Sequence, residues 1–135
     1  MYLLDTNVIS ELRRPRPHGA VLAWIGSVRD RDLNISAMTL GEIHTGIERK
    51  RENDPAKALE IEAWAESIAA TYNVVPADGE VFRYWARFTH KRSNDLIGDA
   101  MIAATAKVHN LIVVTRNVRD FELLGVRTIN PFLNA

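Results

Sequence analysis

Four carboxylates in this chain stand where they could be gathered into one site: Asp5, Glu42, Asp99 and Asp120. Asp5 directly follows the apolar run Tyr2-Leu3-Leu4 and precedes Thr6-Asn7. Glu42 lies just beyond Ile35-Ser36, beside Gly41 and one turn before Gly46. Asp99 leads the small-residue stretch Ala100-Met101-Ile102-Ala103-Ala104-Thr105-Ala106, and Asp120 follows Val113-Val114-Thr115-Arg116-Asn117. Like charges ~4 Å apart repel by about 4 kcal/mol at an effective dielectric of ~20, so such a cluster needs protons or a cation to compensate it. Oxygen donors with open water positions suit Mg²⁺ or Mn²⁺ rather than zinc. In carboxylate clefts these ions activate water and stabilise the leaving oxygen of a phosphodiester.

Each acid also has a plain local role. Asp5-Thr6-Asn7 could cap a first helix, with Thr6 or Asn7 as the capping residue. Thr39-Leu40-Gly41-Glu42 matches the S/T-x-x-E capping box. Asp99 could be only a first-turn acid facing the helix dipole, with Asp95 competing for its place. Asp120 could cap a short turn from Asn117 to Phe121. Taken singly, the local roles win; taken together, with all four beside expected strand ends, the site reading gains ground.

Other chemistries find less support. The chain has no Cys, which excludes disulfides, thiol catalysis and Cys-ligated zinc. His18, His44, His90 and His109 form no H-E-x-x-H pairing, and His109 suits a helix C-terminus. No serine sits in a G-x-S-x-G elbow, and neither a P-loop nor G-x-G-x-x-G occurs.

The elements that must position the acids follow from apolar periodicity. Tyr2–Leu4, Leu33–Ser36, Val74-Val75, Leu111–Thr115 and Arg127–Ile129 read as strands. Helices are expected after Asp5, over Gly19–Val28 and Met38–Arg51, from Pro55 onward, from Val81 to about Arg92 and over Ile97–His109, with a helical turn near Asp120. Strands alternating with helices predict an α/β sandwich with a central, mostly parallel sheet. Ligands of such sheets bind beyond the carboxyl ends of the strands, where strand order reverses. Trp24, Trp64 and Trp85 fall on helical stripes and belong to core or interface.

At 135 residues the chain has the length of one domain, covering 1–135. Seventeen basic and 17 acidic residues leave no net charge, so a nucleic-acid partner must be held by local patches. Arg13-Arg14-Arg16, Arg49-Lys50-Arg51 and Lys91-Arg92 could guide a phosphate backbone, although such runs are more often solvated helix ends. No run reaches the ~20 apolar residues of a membrane span, and no secretory pattern follows Asp5, so a cytoplasmic protein is expected.

Met1-Tyr2-Leu3-Leu4-Asp5-Thr6-Asn7-Val8-Ile9-Ser10-Glu11 resembles the opening of PIN-domain ribonucleases, particularly the toxins of VapBC- and FitAB-type toxin–antitoxin modules. Ile35-Ser36 through Gly41-Glu42, Asp99 through Thr105-Ala106, and Val114-Thr115-Arg116-Asn117 through Asp120-Phe121 extend the resemblance over essentially the whole chain. It implies a three-layer fold and a Mg²⁺-dependent endoribonuclease, with Mn²⁺ as a substitute. By position, Asp5 and Asp99 would be the metal ligands, and Glu42 and Asp120 would act through water. Thr6, Thr115 and Asn117 would position water or phosphate. Asn117 stands where some relatives carry Asp, which leaves Asp120 as the nearest acid. The resemblance also implies a homodimer, an RNA substrate and a DNA-binding antitoxin that blocks the site, with no membrane partner.

Two other classes compete. A haloacid-dehalogenase-like phosphatase would use Asp5 and Thr115, but needs a second acid where Asn7 stands. A non-catalytic Mg²⁺-binding signalling domain of receiver type needs an adjacent acidic pair, which Asp5-Thr6 does not supply.

Overall fold

The structure, a computed structural model, describes residues 1–133; residues 134–135, the end of the expected domain, lie outside it. Five strands form one sheet: β1 (Tyr2–Leu4), β2 (Leu33–Ser36), β3 (Asn73–Val75), β4 (Ile112–Val114) and β5 (Thr128–Ile129). Their spatial order is β3-β2-β1-β4-β5, and every pairing is parallel, where the sequence led us to expect a mostly parallel sheet. The chain runs outward from β1 to β3, then returns to the other side of β1 for β4 and β5. Strand order therefore reverses between β1 and β4, and the crevice opens beyond Leu4 and Val114.

Side-chain alternation along these short strands splits the core in two. Leu4, Leu33, Ile35 and Val114 face one side. There they meet α1 (Thr6–Leu12), α2 (Gly19–Gly26), α3 (Ala37–Asn53) and α4 (Pro55–Thr71) through Val8, Ile9, Val21, Ile43, Ile47, Ala58 and Ala65. Leu3, Val75 and Val113 face the other side, against α6 (Ile97–His109) and α7 (Val118–Leu123). Outside α6 lies α5 (Gly79–Thr89), packed through Val81, Trp85 and Phe88. Helices on both faces of a parallel sheet make the expected three-layer sandwich. Ala100, Ala103, Ala104 and Ala106 are buried, so small side chains bring α6 close to the sheet and carry Asp99 with it.

Element ends differ from expectation for local reasons. The second helix stops at Gly26, two residues before Val28, because the Ser27 hydroxyl turns back to donate to the Trp24 carbonyl at 2.7 Å. Helix α5 stops at Thr89 instead of reaching Arg92: His90 is extended, and Lys91 takes a left-handed φ of 57°. Helix α3 extends both ways, from Ala37 to Asn53: Ser36 caps its start, and at its end the Asp54 amide donates to the Lys50 carbonyl. The fourth strand is shorter than Leu111–Thr115, although the Thr115 amide still donates to the Ile129 carbonyl at 2.9 Å.

The three tryptophans are half-buried packing residues, as their helical spacing suggested. Trp24 meets Tyr2 edge-on at 5.0 Å, Trp64 lies under the Arg13 guanidinium, and the Trp85 indole donates to the Ile97 carbonyl. No described helix is long and apolar enough to cross a membrane.

Candidate active site

Asp5 emerges from the central strand into the crevice and is only 3% exposed. It is the N-cap of α1: its Oδ1 accepts from the Thr6 amide at 2.8 Å. The capping role expected of Thr6 or Asn7 therefore falls one residue earlier, and cap and candidate ligand are the same side chain. Its other oxygen, Oδ2, accepts from the Thr115 hydroxyl at 2.8 Å and from the Asn7 amide nitrogen at 3.2 Å. These donors are neutral. Burial pushes the Asp5 carboxyl above its ordinary value; the Thr115 and Thr6 hydrogen bonds pull the other way, and the Glu42 charge adds to the rise.

Thr6 reaches the neighbouring segment, its hydroxyl lying 2.7 Å from Glu42 Oε1 and 3.0 Å from Thr39 Oγ1. Glu42 is not part of a capping box. Helix α3 begins at Ala37, its N-cap is Ser36, and the Ser36 hydroxyl accepts from the Thr39 amide at 3.1 Å. Thr39 is thus the third residue of the helix rather than its cap, and Glu42 stands a full turn too far along to close the box. Its carboxylate is free to face the crevice.

Asp99 is the third residue of α6, whose N-cap, Leu96, offers no side-chain hydrogen bond. Its carboxyl is pushed up from 3.8 to about 6, first by burial and then by the charges of Asp5, Asp120 and Glu42. The charges of the other three acids thus all reach Asp99 at the strand-end crevice. Asp95 takes no part; it is exposed in the turn before α6. Among the described residues none of the four is in an ion pair. Nor are any three acidic or imidazole groups there gathered tightly enough to form a ready-made metal cage.

The segment after β4 completes the rim. Thr115 is fully buried and accepts from the Asn117 amide at 2.9 Å while donating to Asp5. Asn117 is exposed at the start of α7 and makes no side-chain cap there. Asp120, half-buried one turn on, is the member of this segment whose charge reaches Asp99.

Three residues of this neighbourhood stand within the motifs quoted from the sequence but were given no part in the site there. Ser36 and Thr39 form the buried hydroxyl pair behind Thr6, and a serine directly before a helical pattern was the available signal for Ser36. Glu11, further along α1, is a nearly covered carboxylate that accepts from the His18 amide at 2.9 Å. It lies 3.4 Å from Arg14 and 3.9 Å from Arg116. Nothing in its spacing distinguished it from an ordinary surface acid.

The basic clusters divide. Arg51 is held between Glu48 and Glu62, each at 3.0 Å. Arg13 and Lys50 instead line a cavity of about 350 Å³ together with Lys57 and Trp64, and this cavity runs up to Thr6 and Glu42.

Comparison with known proteins gives the family. The PIN domain family model matches residues 2–125. The chain is 39% identical over 137 residues to VapC ribonuclease Y4jK of Sinorhizobium fredii, covering 98% of each. It is 36% identical over 143 residues to toxin FitB of Neisseria gonorrhoeae, covering 98% of the chain and 99% of FitB. Among solved structures it superposes on FitAcB from Neisseria gonorrhoeae with a TM-score of 0.83 at 36% identity, covering 98% of this chain and 99% of that one. On FitAB bound to an IR36 DNA fragment the TM-score is 0.74 at 31% identity, covering 100% and 98%. A family model spanning nearly the whole chain, and relatives this similar from end to end, make the chain a member of the PIN-domain family, alongside VapC and FitB.

Proposed function

We propose that this chain is a Mg²⁺-dependent endoribonuclease and the toxin component of a type II toxin–antitoxin module. The observation that carries the proposal is that Asp5, Glu42 and Asp120 all lie near enough to Asp99 at the strand-order reversal for their charges to act on it, with no ion-pair partner among the described residues. The donors fit a hard divalent ion: all are oxygens, and Asp99, raised first by burial and then by its three acidic neighbours, has no cation beside it among the described residues. Asp5 and Asp99 would hold Mg²⁺, or Mn²⁺ in its place, with Glu42 and Asp120 acting through water. When bound, such an ion supplies a more acidic attacking water and charge stabilisation at the leaving oxygen.

The chain's own side chains do the rest. The Thr115 hydroxyl and Thr6 amide hold the Asp5 carboxylate in one orientation. The Thr6 hydroxyl fixes Glu42, which accepts a proton from water at the open side of the crevice. Asn117, at the exposed rim, is placed to orient water or phosphate.

The names of the relatives, VapC ribonuclease and toxin FitB, support RNA as substrate. The FitAB complex on DNA supports a DNA-binding antitoxin as partner. With no net charge on the chain, RNA contact rests on local cations such as Arg13, Lys50 and Lys57. In this reading the protein works in the cytoplasm as a homodimer, and its antitoxin inhibits it by placing a cation over the acids.

The test is cleavage of RNA by purified protein freed of its partner. Cleavage should require Mg²⁺ and stop with EDTA, and expression of the chain alone should arrest growth. Turnover of p-nitrophenyl phosphate with no RNA cleavage would move the assignment to the phosphatase class. Growth arrest that persists in Asp5→Asn would overturn the toxin mechanism.

A further inference from the structure

The Glu42 carboxylate lies between Thr6 and the first turn of α6. Its Oε1 takes the Thr6 hydroxyl at 2.7 Å. Its Oε2 occupies the space beside Gly98, in the first turn of α6: a Cβ built on Gly98 would lie 3.1 Å from Oε2 and 3.6 Å from the Met38 methyl. Met38 and Glu42 are one turn apart on α3, so Gly98 faces the one surface of α3 that carries a site acid. Its backbone has no left-handed φ, so a glycine is not needed for conformation. In a helix glycine is normally less stable than alanine, so its presence there goes against helix propensity.

We infer that Gly98 is a positioning residue: its missing side chain gives the Glu42 carboxylate its place between Thr6 and α6, and so sets the separation between Glu42 and Asp99. A methyl at 98 would press on the carboxylate from the α6 side while Thr6 holds it from the other. The carboxylate, at the far end of its side chain, must then give by a few tenths of an ångström, and the Thr6 hydrogen bond lengthens. The inference rests on the metal-dependent reading for its effect on activity, but its geometric core does not.

The test is Gly98→Ala, alone and combined with Glu42→Gln. The single variant should fold and melt no lower than wild type, since alanine favours the helix. Its RNA cleavage should nevertheless fall about tenfold and its Mg²⁺ half-saturation rise several-fold, the scale expected when a group supporting a metal site is displaced. Mg²⁺ affinity measured calorimetrically without RNA should weaken in Gly98→Ala but change no further when the substitution is added to Glu42→Gln. A crystal structure of Gly98→Ala should show the Thr6–Glu42 hydrogen bond lengthened or lost. Wild-type cleavage with an unchanged Mg²⁺ requirement, or a penalty that persists undiminished in the Glu42→Gln background, overturns the inference. So does an unmoved Glu42 in that crystal structure. If wild-type protein neither binds Mg²⁺ nor cleaves RNA, the function proposed above fails, and the crystal structure alone decides the role of Gly98.

Discussion

Asp5 and Glu11 belong to the same short helical segment, and both carboxylates are almost fully covered, at 3% and 6% exposure. Their carboxyls nevertheless shift in opposite directions. Around Asp5 the donors are an amide, a hydroxyl and a carboxamide, all neutral, and its carboxyl rises above the ordinary value. Burial also pushes Glu11 upward, but the His18 amide and the Arg14 and Arg116 guanidiniums outweigh it, and its carboxyl falls. Arg116 is itself fixed from behind, its guanidinium 3.8 Å from the centre of the Phe132 ring. Glu11 is thus a neutralised carboxylate that ties α1 to the segments at His18 and Arg116. Asp5 is left with charge to share, and Asp99 is in the same condition. Burial alone does not mark a chemical site; burial without a cation does.

The sharpest way to break this comparison is Asp5→Asn. It should lower RNA cleavage by about 10³-fold, equivalent to ~4 kcal/mol of barrier, while the metal-free protein melts no lower than wild type. A large loss of stability in place of activity would make Asp5 a structural residue like Glu11. Glu42→Gln should come next, with a large loss of cleavage and stability within about 1 kcal/mol of wild type, because the cap of α3 belongs to Ser36. Retained activity would remove Glu42 from the site. Conversely, Ser36→Ala should cost about 1 kcal/mol in chemical denaturation, the usual scale of a lost N-cap.

Titration separates the two kinds of acid by sign. Folded Asp99 holds its proton up to about pH 6, whereas an ordinary aspartate releases it near 3.8. Its contribution to metal-free stability is therefore present below about pH 4 and lost as pH rises through 6. Glu11, with a lowered carboxyl, contributes stability above its ordinary 4.5 that is lost as pH falls. Melting curves of metal-free Asp99→Asn should lack the decline between pH 4 and 6 expected of wild type; an identical pH profile would show that Asp99 is not under strain from its neighbours. The smallest effect on catalysis is expected from Glu11→Gln, which should lower the melting temperature yet leave the Mg²⁺ requirement of cleavage unchanged.

Much of this was legible from spacing. The apolar runs at Tyr2–Leu4, Leu33–Ser36 and Ile112–Val114 are short and bounded by polar residues, so their ends, and the acids beyond them, could be located. The small residues after Asp99 announced a helix able to lie close to the sheet. Local patterns misled where two residues competed for one backbone role. Thr39-Leu40-Gly41-Glu42 has the letters of a capping box, but a box works only if its threonine leaves the helix, and Ser36 had already started it. Asp5-Thr6-Asn7 offered three capping side chains, and the one at the strand end took the place.

The sequence by itself determined the alternation of strand and helix, with Asp5, Glu42 and Asp120 beyond strand ends and Asp99 opening a helix, because hydrophobic period and polar boundaries are local properties. Only the tertiary structure decided which carboxylates keep their charge unbalanced. Glu11 finds Arg116 more than a hundred residues away along the chain, while Asp5 finds Thr115 at a similar remove and no cation among the described residues. It also decided that Glu42 lies against Gly98 across the α3–α6 contact. Charge compensation and close approach depend on which segments the parallel crossovers bring side by side, and no local pattern contains that information.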